Sequence, residues 1–419
     1  ENFELEEDLI ALDGVVVTAN RSETTRRMAP TLVNVMDFKL FENTNSATLS
    51  QGLNFQPGVR VETNCQNCGF QQVRINGLDG PYTQILIDSR PIFSALAGVY
   101  GLEQIPANMI ERVEVMRGGG SALFGSSAIA GTINIITKEP LRNSGQLSHT
   151  ITGVGGTSSW DNSTTMNASL VTDNSKAGLY IFGQNRERSG YDSDGDGFTE
   201  LPKLKNQTVG FRSFLKTSAY SKLTFEYHHL QEFRRGGDLL NRPPHEANIA
   251  EQLRHSINSG GLKFDYFSPD EKHRLSVYAS AQHIGRDSYY GGNQDLNAYG
   301  ATKDFTWVAG SQYIYHFDRC LFMPSDLTGG VEYNQDNLKD DMWGYNRYTN
   351  QKVRIAGAFF QNEWRNRQWS ILLGGRLDKH NLINHVIFSP RANIRFNPVE
   401  NVNLRASYSV GFRAPQAFD

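Results

Sequence analysis

The sequence predicts a small α+β domain followed by an antiparallel transmembrane β-barrel that does not close within this chain. Three observations carry that prediction. After Pro140 the chain divides into strand-length segments in which apolar and polar residues alternate. One of these segments, 304–317, has aromatic residues at both ends of one face and small residues between them. Short polar turns also take turns with longer loops rich in Gly, Asn and Asp, the asymmetry of barrels whose two rims meet different compartments.

The alternation is clean at 403–410. Its even positions are Leu404, Ala406, Tyr408 and Val410, and its odd positions Asn403, Arg405, Ser407 and Ser409. A half-buried strand of a soluble sandwich shows the same pattern, whereas a barrel strand turns the apolar set to lipid and the polar set to the lumen. Segment 304–317 discriminates better. Phe305, Trp307, Ala309, Ser311, Tyr313, Tyr315 and Phe317 share one face. Tyr and Trp favour the membrane–water boundary because one end of the ring is apolar and the other hydrogen-bonds. Two aromatic clusters with small residues between fit two girdles, and a core strand gives no reason for small residues in its middle. Turns fall near 174–175, 220–221, 270–271, 324–325, 366–367 and 397–398, and loops near 190–202, 234–256, 288–303, 336–352 and 381–388. The count is about 13 strands, where plugged outer-membrane transporters have about 22. An open sheet edge cannot face lipid, so the remaining strands are expected from sequence or chain outside this one.

Ahead of the barrel region (141–419) lie two unlike stretches. Residues 1–30 are polar around an apolar island, Val15-Val16-Val17, and read as a flexible arm. Residues 31–140 read as the small mixed domain. A short helix is expected at 46–53, ended by Pro57-Gly58, with strands at 59–62, 73–76, 84–88, 111–117 and 132–137. A net charge of −3 offers no basic surface for nucleic acid. Mean hydropathy is −0.48, and without a run of about 18 apolar residues a membrane-spanning helix is excluded, although membrane strands are not. The chain opens at Glu1 with no basic and apolar leader, so either the protein is cytoplasmic or a signal peptide has been removed. It carries no H-E-x-x-H, no G-x-S-x-G and no clear acid pair, and an enzyme is not expected.

Three segments carry a family resemblance. Residues 12–21, Leu-Asp-Gly-Val-Val-Val-Thr-Ala-Asn-Arg, resemble a TonB box, most nearly that of outer-membrane cobalamin receptors. An extended β-branched segment on a mobile arm is suited to add a strand to a partner's sheet edge; an ordinary N-terminal edge strand has the same composition. Residues 110–137, from Ile110-Glu111-Arg112-Val113-Glu114-Val115-Met116-Arg117-Gly118-Gly119-Gly120 to Asn134-Ile135-Ile136-Thr137, are similar to the end of the plug domain of TonB-dependent receptors. A phosphate loop is the alternative for glycines after a strand, but no Gly-Lys-Ser/Thr follows and no G-x-G-x-x-G opens a long helix. Val73-Arg74-Ile75-Asn76-Gly77 and Ile85-Leu86-Ile87-Asp88-Ser89-Arg90-Pro91 resemble the central plug strands, and Gly411-Phe412-Arg413-Ala414-Pro415 a recurrent barrel-strand ending.

The resemblance implies an active importer of the Gram-negative outer membrane. Asp13, Val15, Val16, Val17, Thr18 and Ala19 would engage the TonB complex, and plug apices with outer loops would bind a scarce solute. Cobalamin is the first expectation, ferric siderophore the second and haem the third. Outer-membrane lipid and a surface lipoprotein are further partners; an adhesin or signalling receptor on the same scaffold is the alternative. By the same analogy Asn64, Cys65, Gln66, Asn67 and Cys68 form one plug apex, and Phe93, Ser94, Leu96 and Tyr100 the other. One C-x-x-C pair supplies two of zinc's four ligands, and an oxidising exterior favours a Cys65–Cys68 disulfide; metal or haem contact and free thiols stay open. Cys320, near a short turn, reads as structural. Asp192, Asp194 and Asp196, with Gly197, match the first half of a calcium loop, but Lys203 stands where a bidentate Glu belongs. Cobalamin receptors carry an acidic calcium-binding stretch in the corresponding loop, so calcium is the one candidate ion and no cofactor is otherwise required; solvated loop carboxylates are the alternative. His228, His229, His245 and His255 keep haem in view, as scattered loop histidines also would.

Overall fold

A computed structural model describes residues 14–65, 67, 69–91, 95–156, 158–399, 401–413 and 416–417. The N-terminal segment forms a two-stranded ribbon, β1 (Val15–Val16) with β2 (Thr24–Thr25). The next domain contains β3 (Val33–Asp37), α1 (Phe38–Asn43), α2 (Leu49–Leu53), β4 (Val59–Cys65), β5 (Phe70–Ile75), β6 (Thr83–Ile87), α3 (Ala95–Gln104), β7 (Ile110–Arg117), α4 (Ser121–Phe124) and β8 (Gly131–Thr137). Four of its strands make one sheet in the order β3-β7-β8-β6, parallel only between β6 and β8. β4 and β5 form a separate hairpin. Asp37 starts α1 by accepting a hydrogen bond from the Leu40 amide, which satisfies one of the donors a helix start leaves unpaired. Gly118, at φ +81°, supplies the left-handed turn that reverses the chain after β7. Gly131 is required for contact instead: a Cβ there would collide with the Met116 carbonyl on the neighbouring strand.

From Ser144 the chain is a meander of antiparallel strands: β9 (Ser144–Val154), β10 (Ser159–Val171), β11 (Ala177–Arg188), β12 (Lys203–Ser218), β13 (Ser221–Gly237), β14 (Ile249–Phe267), β15 (His273–Gly292), β16 (Tyr299–Cys320), β17 (Met323–Met342), β18 (Arg347–Arg365), β19 (Trp369–His380), β20 (Ile387–Phe396) and β21 (Leu404–Ser409). They pair strictly in chain order into one 13-stranded sheet with β9 and β21 at its edges. Phe305 and Tyr313 are exposed on the outer face of β16, while Thr306 and Val308 are buried on the inner one. Leu404 and Tyr408 likewise face out. Arg405 reaches inward to the carbonyls of Ala29, Arg26 and Arg27.

The small domain therefore lies inside the curve of the sheet. Its apolar core, including Phe41, Leu53, Ile75, Val113 and Ile133, runs on into Tyr180, Phe182, Tyr278 and Val308 of the wall. Tyr180 donates to the Asn108 carbonyl at 2.6 Å, and Gln184 to the Ala47 carbonyl at 3.1 Å.

Two expectations need correction. Residues 234–256, 288–303 and 336–352 read as loops but are mostly strand. The actual connections are 238–248, 293–298 and 343–346. These strands run to 17–22 residues, about twice the 9–11 needed to cross a bilayer. Their outer halves have water on the outside face, so Gly, Asn and Asp are tolerated without ending the strand. The arm also differs from expectation: residues 14–30 are folded against the plug and the wall.

Candidate functional site

The most elaborate site is the seat of the arm. The backbone amides of Val17 and Thr18 each donate to one oxygen of Glu114 at 2.9 Å, and the Thr18 hydroxyl donates to the same oxygen at 2.6 Å. Glu114 lies on β7 and is fully buried, held also by Arg112 at 2.9 Å. Asn134 on β8 donates to the Thr18 hydroxyl at 3.0 Å and to Ser89 at 3.1 Å. Beyond Ala19 the wall takes over. Asn20 donates to Glu363 at 2.6 Å, and Gln361 and Gln312 donate to the carbonyls of Asn20 and Arg21, both at 2.9 Å. Arg21 pairs with Glu332 at 3.3 Å between the rings of Phe124 and Phe359. Val16, Thr18 and Ala19 are buried and Val15 is exposed. The hydrogen-bonding edge a partner strand would use is thus occupied from within. Asp13 lies outside the described residues.

Two ion-pair clusters join plug to wall. In the first, Glu103 at the end of α3 meets Arg186, Arg188 and Arg234 at 3.1, 3.1 and 2.9 Å. Arg234 also grips Glu232 at 2.9 Å. In the second, Arg212 meets Asp88 at 2.5 Å and Glu226 at 2.6 Å, while Arg90 also pairs with Glu226. Asp88 and Ser89 both take left-handed φ, +48° and +65°, which turns the Asp88 carboxylate onto the Thr137 amide and hydroxyl.

Burial pushes the Glu103 carboxyl up, but Arg234, Arg188 and Arg186 outweigh it and hold it at about 2. Burial likewise opposes ionisation of Asp88, and Arg212, Arg90 and Thr137 overcome it to the same value. Both values are depressed, so the stabilisation is complete above the unfolded values near 4 and is lost as pH falls toward 2. Melting of the detergent-purified receptor is expected to be flat from pH 7 to 5 and to drop between about 4 and 2. In Glu103→Gln that drop is smaller, and a wild-type melting point unchanged down to pH 2 would refute the linkage.

The residues expected to face a solute are only partly gathered. Asn64 and Cys65 end β4, and the Cys65 thiol lies 3.1 Å from Glu251 of the wall. Asn67 is described, whereas Gln66 and Cys68 are not, so the Cys65–Cys68 pairing lies outside the described residues. Phe93 and Ser94 also lie outside them. Tyr100 is on α3. Leu96 is 1% exposed and packs on Leu230, Ile257 and Ile284, so as placed it fixes α3 to the wall and does not face a solute. The histidines are not brought together. His228 and His229 are adjacent on β13 and point to opposite faces. His255 meets Glu232 at 3.2 Å inside the wall, and His245 meets Tyr299 at 2.6 Å on a loop.

The acidic loop does converge. Oxygens of Asp192, Asp194, Asp196 and Glu200 lie within 4.8 Å of one another. Opposed calcium ligands at 2.3–2.6 Å from the ion stand about 5 Å apart, so the set fits that ion. Asp192 accepts from the Gly195 and Gly197 amides at 2.7 and 2.8 Å, and those bonds lower its pKa. Gly195 and Gly197 sit at φ +80° and +92°, a conformation that favours glycine. Glu200 stands at the ninth position of the linear calcium-loop pattern, where a ligand often acts through water, a signal the reading of the three aspartates passed over. The bridge between Tyr191 and Leu201 across the loop base holds it beside the aspartates. Asp238, on the next connection, is engaged separately: its carboxylate accepts from Asn248 and Ile249.

Comparison with known proteins agrees with this architecture. Residues 25–132 match the TonB-dependent Receptor Plug Domain, and 140–419 the TonB dependent receptor-like beta-barrel. Over 125 residues the chain is 38% identical to the Vitamin B12 transporter BtuB of Vibrio vulnificus, covering 30% of this chain and 20% of that one. It is 33% identical over 124 residues, with the same coverage, to BtuB of Vibrio cholerae. The siderophore receptor PirA from Acinetobacter baumannii superposes with a TM-score of 0.79 at 19% identity, over 93% of this chain and 62% of that one. A ferric enterobactin receptor (PfeA) mutant from Pseudomonas aeruginosa gives 0.77 at 17%, over 93% and 63%. The chain thus spans less than two thirds of these solved receptors, and its matched stretch a fifth of the curated transporters. With a plug lodged inside a β-wall and family matches to both parts, the chain belongs to the TonB-dependent receptors of the Gram-negative outer membrane.

Proposed function

We propose that this chain is the plug-bearing part of a receptor that captures a scarce extracellular solute and imports it when TonB draws on the arm. The observation that carries this reading is the seat of residues 17–21: a box held by buried Glu114 and by wall residues is kept from a partner strand until it is released. Cobalamin is the first choice of solute and a ferric siderophore the second. The similarity to vitamin B12 transporters supports the first. The siderophore-receptor likenesses, all below 20% identity, speak to the fold alone.

Calcium belongs to this reading. Bound by Asp192, Asp194, Asp196 and Glu200, it would order the 190–202 loop as one wall of the solute site, since an ion bound only by the ordered loop stabilises it. Its affinity is expected in the weak extracellular class, about 10⁻⁴–10⁻³ M. The test is titration of purified receptor with cyanocobalamin and, separately, with a ferric siderophore, in excess calcium and in chelator. Cyanocobalamin should bind several-fold more tightly with calcium, and Asp194→Ala should abolish the difference. Equal wild-type binding in both conditions removes calcium from the mechanism. Tight siderophore binding with none of cyanocobalamin reverses the order of solutes.

A further inference from the structure

On the lipid-facing side of the wall, where the sheet leaves the bilayer, lies a basic hollow that solute import does not use. Register fixes its members on one face. Lys205 pairs with Phe233, Phe233 with Arg254, and Arg254 with Asp287. Lys303 pairs with Gly285, one step nearer the membrane. Two residues further along β16 come Phe305 and then Trp307, so the hollow sits just beyond the aromatic girdle on the long-loop side. That is the headgroup level of the outer leaflet.

The hollow measures about 440 Å³. Its floor is made of small residues. Gly285 has no side chain, and a Cβ there would meet nothing nearer than the Ser256 carbonyl at 4.0 Å. Its rim is cationic. The Arg254 guanidinium lies over the Phe233 ring, 4.7 Å from its centre, which fixes the plane and leaves its N–H edges open for two oxygens of one anion. Neither Arg254 nor Lys303 has an ion pair among the described residues. Lys205 pairs with Glu187 at 2.8 Å, but both are about half exposed, and such pairs hold weakly. Of the two carboxylates lining the hollow, Asp287 lies on its outward face, whereas Glu232 turns inward to Arg234. Lys339, in register with Lys303, and Lys352 and Arg354 on β18 extend the cationic row around the wall.

We infer that this hollow binds a phosphate group of an anionic glycolipid in the outer leaflet, with Arg254 and Lys303 as its main ligands and Lys205 as a third. Charge complementarity at headgroup depth selects that occupant. A soluble protein would have to approach within the lipid headgroups, and an apolar ligand would leave Arg254 and Lys303 uncompensated. The inference rests on membrane placement and not on the identity of the imported solute.

The test uses the receptor purified in a neutral detergent, with bisphosphorylated lipid A and the same glycolipid stripped of phosphate, in chelator so that no divalent bridge runs through Asp287. Binding is read by native mass spectrometry and by titration. Wild type should retain the phosphorylated lipid and not the stripped one. Arg254→Ser with Lys303→Ser should weaken it about twentyfold or more, roughly fivefold per surface cation. Gly285→Leu should weaken it too, by filling the hollow with no change of charge. Heat-dependent gel mobility shows that each barrel is folded. Equal retention of the stripped lipid, or undiminished binding by the folded double variant, would overturn the assignment.

Discussion

Uptake should fall to background when Val16 becomes proline, while solute binding at the cell surface stays within about twofold. Proline removes a backbone donor and fixes φ, so the segment loses the ladder that strand addition to a partner needs. Val16 is also buried and paired with Thr24 in the resting arm, so the substitution disturbs the seat as well. A second variant separates the two effects. Glu114→Ala removes the acceptor for Val17, Thr18 and the Thr18 hydroxyl without touching the box. Hydrogen bonds to charged groups are worth about 1.5–3 kcal/mol each, so the arm should leave its seat, and the affinity of a purified TonB C-terminal domain should rise tenfold or more. Full uptake by Val16→Pro would take the box assignment away. Unchanged TonB affinity in Glu114→Ala would mean that the seat does not gate access.

The second large effect is expected at Arg234. This side chain is 1% exposed and joins three places: Glu103 on α3, Glu232 on β13, and the Gly69 carbonyl at the plug apex at 3.1 Å. Arg234→Met leaves two buried carboxylates short of a partner. Breaking a buried pair costs about 3–5 kcal/mol. The low end applies, because Glu103 keeps Arg186 and Arg188 and Glu232 keeps His255 and Gln104. Amide exchange in α3 should accelerate at least a hundredfold. Adding Glu232→Met should recover part of that loss, since an apolar replacement of a buried pair is often neutral. Unaltered α3 exchange in a folded Arg234→Met receptor would show that the apolar contacts of Leu96 and its neighbours hold the helix alone.

The parts of this protein legible in the sequence are those with local contrast. Inside the bilayer every second side chain meets lipid and the others meet the plug or water, so alternation at 403–410 and the aromatic ends of 304–317 report the fold directly. The glycine pattern after β7 is legible for a similar reason, because a left-handed turn at Gly118 leaves a mark at the residue itself. Contrast disappears beyond the membrane, where both faces of a strand tolerate polar residues, and that is why 336–352 reads as a loop and folds as paired strands.

Tertiary structure alone decided which distant groups meet. Glu114 stands 97 residues from Val17, and Glu363 stands 343 from Asn20; no local pattern marks such a partner. Glu200 is a contrasting case: it lies eight residues from Asp192, the ninth position of a calcium loop, so its place in the acidic cluster was legible in the spacing. The four histidines share a stretch of sequence, but strand alternation and the wall scatter them. The sequence determined which segments alternate across the membrane and where most of the short turns lie, although the turn expected near 324–325 falls at 321–322, ahead of β17. Folding the plug into the curve of the sheet determined what the arm, the buried carboxylates and the loops touch, because those contacts are made by desolvation and pairing between segments that sequence order keeps apart.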